Sequence, residues 1–249
     1  PHKYQRLRHG PCRTRAPVSG SAGHPIHTTP ISGHAANSLT NEISKWQNNV
    51  NRGAAILGDK IYFCTADVHL VALDRRTGGL IWKKYYGSKD DGVFAAAAPL
   101  VVKDKVLVGT GGGDTGMRGF IAALDAETGA EVWRTYTIPA KGEKGSETWG
   151  KYVEYGGGAT WLNGTYDPET DTLFWPTGNP WPDFYGGDRQ GDNLYSCSLL
   201  ALDPQTGKMK WYFQFTPADT HDWDAQSWPI PVNMDWEGKP RKLILHANR

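Results

Sequence analysis

The sequence predicts an all-β fold built as a β-propeller, and three observations carry that prediction. One eleven-residue motif occurs three times, as ALDRRTGGLIW at 72–82, ALDAETGAEVW at 123–133 and ALDPQTGKMKW at 201–211. Short β-rich runs such as 55–64 and 99–108 lie between the copies. No long segment carries the 3.6-residue periodicity of an amphipathic helix. A small unit repeated along the chain is the mark of a blade-by-blade architecture, in which each sheet buries its faces on its neighbours.

Each copy reads as a strand ending at Ala-Leu, a tight turn over Asp-x-x-Thr-Gly, and a strand ending in a Trp peg. In that turn Asp and Thr can satisfy backbone amides while Gly takes a positive φ. A looser fourth copy, Tyr166 to Trp175, has Asp171 where the others have Gly, a substitution that the left-handed region tolerates. Trp82 and Trp133 are one blade apart, whereas the interval from Trp133 to Trp211 is half as long again, so an insertion is expected around Trp161 and Trp175. The runs between copies read as hairpins turning at Gly58-Asp59-Lys60 and Lys103-Asp104-Lys105.

Composition fits this class and excludes others. The 249 residues include 11 Trp, 11 Tyr and 30 Gly, which supply core pegs and turns. Lys and Arg total 27 against 26 Asp and Glu, a formal net charge of +1, so there is no electrostatic case for nucleic acid or an anionic membrane. No apolar run is long enough to span a bilayer, and no basic start leads into a hydrophobic leader. Cys12, Cys64 and Cys197 are odd in number and far apart, which is no disulfide framework, and no Cys-x-x-Cys-His is present to attach a haem.

Residues 1–41 do not share the pattern. They hold His2, His9, His24, His27 and His34 with no Asp or Glu and no strand alternation, and are expected to be a disordered or foreign segment preceding a partial propeller of about four blades over 42–249. The sequence ends just after the strand-like run 242–245. An incomplete ring is therefore expected to expose apolar blade faces and to aggregate. A monodisperse monomer with a cooperative melt would contradict this.

From Gly109 onward an ordered set of motifs appears: GGGDTGMRGF at 111–120, GGATW at 157–161, PTGNP at 176–180, GDN at 191–193 and HDWD at 221–224. Together they resemble the quinoprotein alcohol dehydrogenases, a family that includes methanol and ethanol dehydrogenases. The resemblance covers roughly residues 46–249. It implies an eight-bladed quinoprotein propeller, here incomplete, that uses pyrroloquinoline quinone (PQQ) with a calcium ion. It also implies oxidation of small alcohols to aldehydes, a cytochrome c as electron acceptor, and a periplasmic location.

A planar, anionic tricyclic quinone wants an aromatic floor, cationic contacts and a hard cation beside the carbonyl that accepts hydride. The resemblance assigns Trp161 as the floor, and Gly112 and Gly113 as the places where the cofactor edge approaches. Asn179 and Asp114 become calcium ligands, Asp114 standing where many members have Glu. Asp224 becomes both a ligand and the base that takes the alcohol proton. Arg52, in Asn-Arg-Gly, would pair with a PQQ carboxylate, and Arg249, in Ala-Asn-Arg, with the quinone oxygens. Ser146 and Thr148 are plausible polar neighbours, whereas Asp219 and Asp222 read as surface-loop carboxylates.

The departures are also informative. The family's adjacent cysteines before Asn-Arg-Gly are replaced by Trp46-Gln47, a cofactor-contacting Thr by Ala96, and the extra Asp of the lanthanide-using branch by Gln226, which favours calcium. The alternative function is a non-catalytic propeller of the same repeat type, resembling outer-membrane assembly scaffolds. Such a scaffold needs the Trp pegs alone and has no use for Trp161, Asn179, Asp224 and Arg249 together.

Overall fold

The computed structural model describes residues 50–87 and 92–248. The segment 1–41, Trp46-Gln47 and Arg249 lie outside those residues. Within them the fold is all-β, as the repeats predict. Strands β1 (Ala54–Leu57), β2 (Lys60–Thr65), β3 (His69–Asp74) and β4 (Leu80–Tyr85) form one antiparallel sheet in sequential order. A second is built from β5 (Leu100–Val102), β6 (Lys105–Val108), β7 (Phe120–Asp125) and β8 (Glu131–Tyr136). The third comprises β9 (Thr165–Asp167), β10 (Thr172–Pro176), β11 (Ser198–Leu202) and β12 (Met209–Gln214), and a hairpin of β13 (Ile230–Trp236) and β14 (Lys239–Leu245) follows.

The repeated motif is the third hairpin turn of each blade. In the first copy the Asp74 carboxylate accepts the Arg76 and Thr77 amides and the Thr77 hydroxyl at 2.7–3.0 Å, while Gly78 sits at φ 70°. Asp125 and Asp203 do the same at Thr128 and Thr206. Each hairpin then pairs its Ala with its Trp (Ala72 with Trp82, Ala123 with Trp133, Ala201 with Trp211) and slips register at the next residue.

The Trp serves the neighbouring blade rather than its own turn. Trp82 Nε1 donates to the Ala126 carbonyl at 3.3 Å, and Trp133 Nε1 donates to the Pro204 carbonyl at 3.1 Å. Ala126 and Pro204 occupy the same place in successive motifs, one residue after the turn Asp. Polar side chains repeat the link, Lys60 reaching Glu127 and Lys105 reaching Gln205. The alternation of β7 completes the packing. Phe120, Ala122 and Leu124 join a cluster with Tyr62, Leu70 and Trp82 of the first blade, while Ile121 and Ala123 join Leu173, Trp175 and Leu200 of the third. A central strand buried on both faces therefore reads as a continuous apolar run. Trp211, the third peg, is 44% exposed.

The fourth copy occupies a different place from the one its resemblance to the motif suggests. Asp167 to Asp171 turns the first hairpin of the third blade, β9–β10, with Asp171 in the left-handed region at φ 47°. Its Trp175 is a fully buried core residue of β10, with no acceptor for its indole N–H among the described residues. The insertion expected after Trp133 is present as loop 137–164, which carries 3-10 turns at Ser146–Thr148 and Gly150–Tyr152. Because all sheets are antiparallel meanders, the Asp-x-x-Thr-Gly turns lie at one end of the blades. The loops β2–β3, β6–β7 and β10–β11 and the blade-to-blade connections lie at the other.

The docking of Trp on the next turn makes a quantitative prediction. Gly78 and Gly207 share φ 70°, but a Cβ on Gly78 meets nothing within 4 Å, whereas one on Gly207 lies 2.5 Å from Trp133 Cε3. Gly78→Ala should cost about 1 kcal/mol for the left-handed backbone, and Gly207→Ala about 1–3 kcal/mol more for the clash. Urea unfolding of the two variants side by side checks this.

Candidate active site

A cleft of about 210 Å³ opens at the end of the blades away from the repeated turns. Its lining comes from successive loops: Arg52 ahead of β1, Phe94 and Ala96 from β4–β5, Gly111–Asp114 from β6–β7, Trp161 from β8–β9, Asn179 from β10–β11, and Asp222 and Asp224 from β12–β13. The topology thus brings residues from distant parts of the sequence to one place, and every described candidate of the sequence analysis except Ser146 and Thr148 reaches it.

Asp224 is the node of the cleft. Its Oδ1 accepts the Asn179 amide N–H at 2.8 Å and its Oδ2 accepts the Trp161 indole N–H at 3.0 Å. The residue itself sits in the left-handed region at φ 51°. Gly178 leaves room for this contact, since a Cβ there would lie 2.5 Å from Asp224 Oδ1. Burial raises the Asp224 carboxyl to about 7; bonds from Asn179 and Trp161 pull it down, and the charges of Asp222 and Asp114 push it further up.

Asn179 is buried and central. Its side-chain Nδ2 donates to Asp114 at 3.3 Å and to Asp183 at 3.1 Å, and its Oδ1 faces Gly113, where a Cβ would lie 2.9 Å away. Gly112, at φ 106°, and Gly113 begin a 3-10 turn that carries Asp114 to the cleft edge. On the opposite wall Arg52 donates to the Ala96 carbonyl at 3.1 Å and its guanidinium stacks on Trp161, 4.9 Å from the ring centroid.

Two expectations are corrected. Asp219 is not a surface carboxylate: it is 2% exposed, and it accepts the His221 and Trp223 amides at 2.9 and 2.8 Å and the Cys197 thiol at 3.4 Å. A carboxylate capping two amides two and four residues ahead shapes its own loop. Asp222, read as a loop carboxylate, lines the cleft. Ser146 and Thr148 remain outside the lining; Ser146 accepts the Gly142 amide, and Thr148 accepts the Leu194 amide while donating to the Gly145 carbonyl. Gln226 is fully engaged with backbone, donating to the Ala159 and Pro176 carbonyls and accepting the Leu162 amide.

Asp183 is the residue that sequence reasoning missed. Burial and the charges of Asp114 and Asp222 raise its carboxyl to about 6. Its signal was its position four residues after Asn179, within reach of the same amide.

The donor chemistry fits a hard cation and a planar anion. Asp114, Asp222 and Asp224 line the cleft. Burial first, and neighbouring carboxylate charge second, raise Asp224 and the nearby Asp183, an excess of negative charge that a cation would relieve. Among the described residues no three His, Cys, Asp or Glu side chains are grouped to hold a metal by themselves. A cation here would therefore also draw on the Asn179 amide oxygen and on oxygens brought by a ligand. The indole already carries one flat, charged group on its face, and the glycines at 111–113 leave the facing rim without side chains.

A family model described as glucose/ethanol/alcohol dehydrogenase, β-propeller domain, with the tag PQQ, matches residues 84–249. The chain belongs to this family. Among relatives of this chain, the quinohemoprotein alcohol dehydrogenase ADH IIB of Pseudomonas putida is 41% identical over 212 residues, covering 80% of this chain and 31% of that protein. The lanthanide-dependent methanol dehydrogenase of Methylacidiphilum fumariolicum is 37% identical over 219 residues, 80% of this chain and 36% of that one. Of solved structures, the quinohemoprotein alcohol dehydrogenase from Comamonas testosteroni superposes with a TM-score of 0.75 at 39% identity, over 80% of this chain and 32% of that chain. The chain thus spans about a third of the length of the relatives it matches.

The raised carboxyls fix the sign of a pH effect. Asp224 and Asp183 have folded-state values above the ordinary 3.8, so their protonated forms favour the fold, and that contribution is lost as pH rises from about 4 through about 7. Without added metal the chain should melt at a higher temperature at pH 5 than at pH 8. Asp224→Asn, whose Oδ1 can still accept the Asn179 amide, should shrink that difference in a thermal melt series.

Proposed function

We propose that this chain supplies the PQQ- and calcium-binding portion of a periplasmic dehydrogenase that oxidises primary alcohols to aldehydes and passes the electrons to a cytochrome c. Turnover is assigned to a protein of the relatives' length rather than to this chain alone. The observation that carries the reading is the placement of Asp224, pinned through both carboxylate oxygens to Asn179 and Trp161 inside an acidic cleft.

When bound, PQQ would supply the quinone that accepts hydride from the alcohol carbon, and calcium would polarise the accepting carbonyl. The residues present suit that pair. Trp161 offers an apolar face for a planar ring. Arg52 offers a fixed fork for a carboxylate. Asn179, Asp114 and Asp224 offer oxygen donors of the kind calcium takes, with Asp222 and Asp183 adding negative charge nearby.

The same geometry suits Asp224 as the base. An acid with a value of about 7 is half-protonated at neutral pH. A divalent cation beside it would lower that value and keep the carboxylate ionised. Each oxygen accepts a single hydrogen bond, from Asn179 to Oδ1 and from Trp161 to Oδ2, and so retains a lone pair to receive the alcohol proton. Gln226 supports calcium over a lanthanide, because its amide is spent on the backbone around 159–162 and brings no further carboxylate to the cleft.

The test is PQQ binding followed by quenching of tryptophan fluorescence, with and without calcium. Wild type should bind only with calcium, and Asn179→Ala and Asp114→Ala should each weaken binding by about 10–100-fold. Calcium-independent binding, or equal binding by both variants, would overturn the reading.

A further inference from the structure

We propose that Arg189 is a positioning residue for the cleft: its buried guanidinium ties the segment 182–193 to the loop 218–224 and so holds Asp224 between the Asn179 amide and the Trp161 indole. This rests on the role given to Asp224 above and adds a residue that touches neither cofactor nor cation.

Arg189 is 1% exposed. Its guanidinium donates to the Pro182 carbonyl at 3.0 and 3.2 Å, to the Asp219 carbonyl at 2.6 Å and to Asn193 Oδ1 at 2.6 Å. These acceptors are all neutral oxygens. A buried cation held without a carboxylate in contact is unfavourable by itself, and burial correspondingly lowers its proton affinity, offset in part by the charges of Asp219 and Asp183. Such an arrangement persists where the three anchored points must be kept together.

Two of the three anchored points, Asn193 and Asp219, lie in or beside strained backbone behind the site. Asn193, Cys197, Ala218, Asp222 and Asp224 all have φ between 44° and 58°, the left-handed region that non-glycine residues avoid. Residues in that region hold their conformation only where surrounding contacts over-determine it. Arg189 grips the carbonyl of Asp219, whose carboxylate in turn binds the amides of His221 and Trp223. That sequence of bonds runs from a buried charge to the turn presenting Asp222 and Asp224. At its other end the guanidinium grips the carbonyl next to Asp183, and Asn193 passes the link to the Thr148 carbonyl at 2.9 Å. A fork with several donors in one plane can span these acceptors; a Lys ammonium cannot.

The test is hydrogen exchange of the chain without cofactor, comparing wild type with Arg189→Lys. In the variant the amides of Asn179 and of residues 221–224 should exchange about tenfold faster or more, while those of β6 and β11 keep wild-type protection. Should Arg189→Lys fail to fold, Asn193→Ala removes one acceptor, keeps the charge and reads the same amides. Wild-type exchange at Asn179 and 221–224, or an equal loss of protection in every sheet, overturns the positioning role. Because the measurement involves no cofactor, failure of the wild type to bind PQQ would overturn the proposed function and leave this result standing.

Discussion

The bond from each Trp peg to the next blade's turn is the constraint on which the rest of the molecule depends. A four-stranded blade has two apolar faces and cannot bury both alone, so its stability lies at its seams. Trp82 and Trp133 close those seams with an indole N–H on a backbone carbonyl and an aromatic ring against the turn glycine. Both partners belong to the same repeated motif. The motif therefore encodes a turn and its docking site at once, and the angle between blades follows from one recurrent contact.

Fixing the seams at one end of the blades fixes the spacing of the loops at the other. That is why short side chains suffice in the cleft. Asp114, Asn179 and Asp224 come from three inter-strand or inter-blade loops, and Asn179 still hydrogen-bonds both of the others. Glycine does the rest by absence: Gly113 and Gly178 stand where any Cβ would press on Asn179 or Asp224. Packing of backbone against polar side chains at this closeness has little tolerance for rotation of one blade against the next.

Much of this was legible in the sequence, for a physical reason. The blade repeat and its turn residues are local, since Asp, Thr and Gly at fixed spacing make the same hydrogen bonds wherever they occur. The candidate residues Arg52, Gly112, Gly113, Asp114, Trp161, Asn179 and Asp224 could be named because each sits in a short recognisable motif, and the topology collects them in one cleft. What escaped depended on contacts across the chain. Asp219 looked like a loop carboxylate because burial is decided by loops packed over it, not by its neighbours in sequence. The Tyr166–Trp175 run resembled the peg hairpin because Asp-x-x-Thr followed by a left-handed residue turns any hairpin. Only strand order shows that this one opens a blade. Asp183 carried no motif, and its proximity to Asp114 exists only once β6–β7 and β10–β11 are side by side.

The cleft's charge also explains why its backbone is strained. Three carboxylates lining one space repel, and an unconstrained loop would relax by turning Asp224 outward to water, where its carboxyl would recover its ordinary acidity. The left-handed backbone at 222 and 224 sets the direction in which these side chains leave the loop, and the Asn179 amide and Trp161 indole hold the Asp224 carboxylate inward. The buried Asp219 bonds the His221 and Trp223 amides and so restrains the loop on both sides of Asp222. Strain and repulsion are thus held in the same few residues. A cation in the cleft would relieve the repulsion, and the hydrogen bonds that hold Asp224 are made by the chain's own groups, so such a cation would not have to supply them.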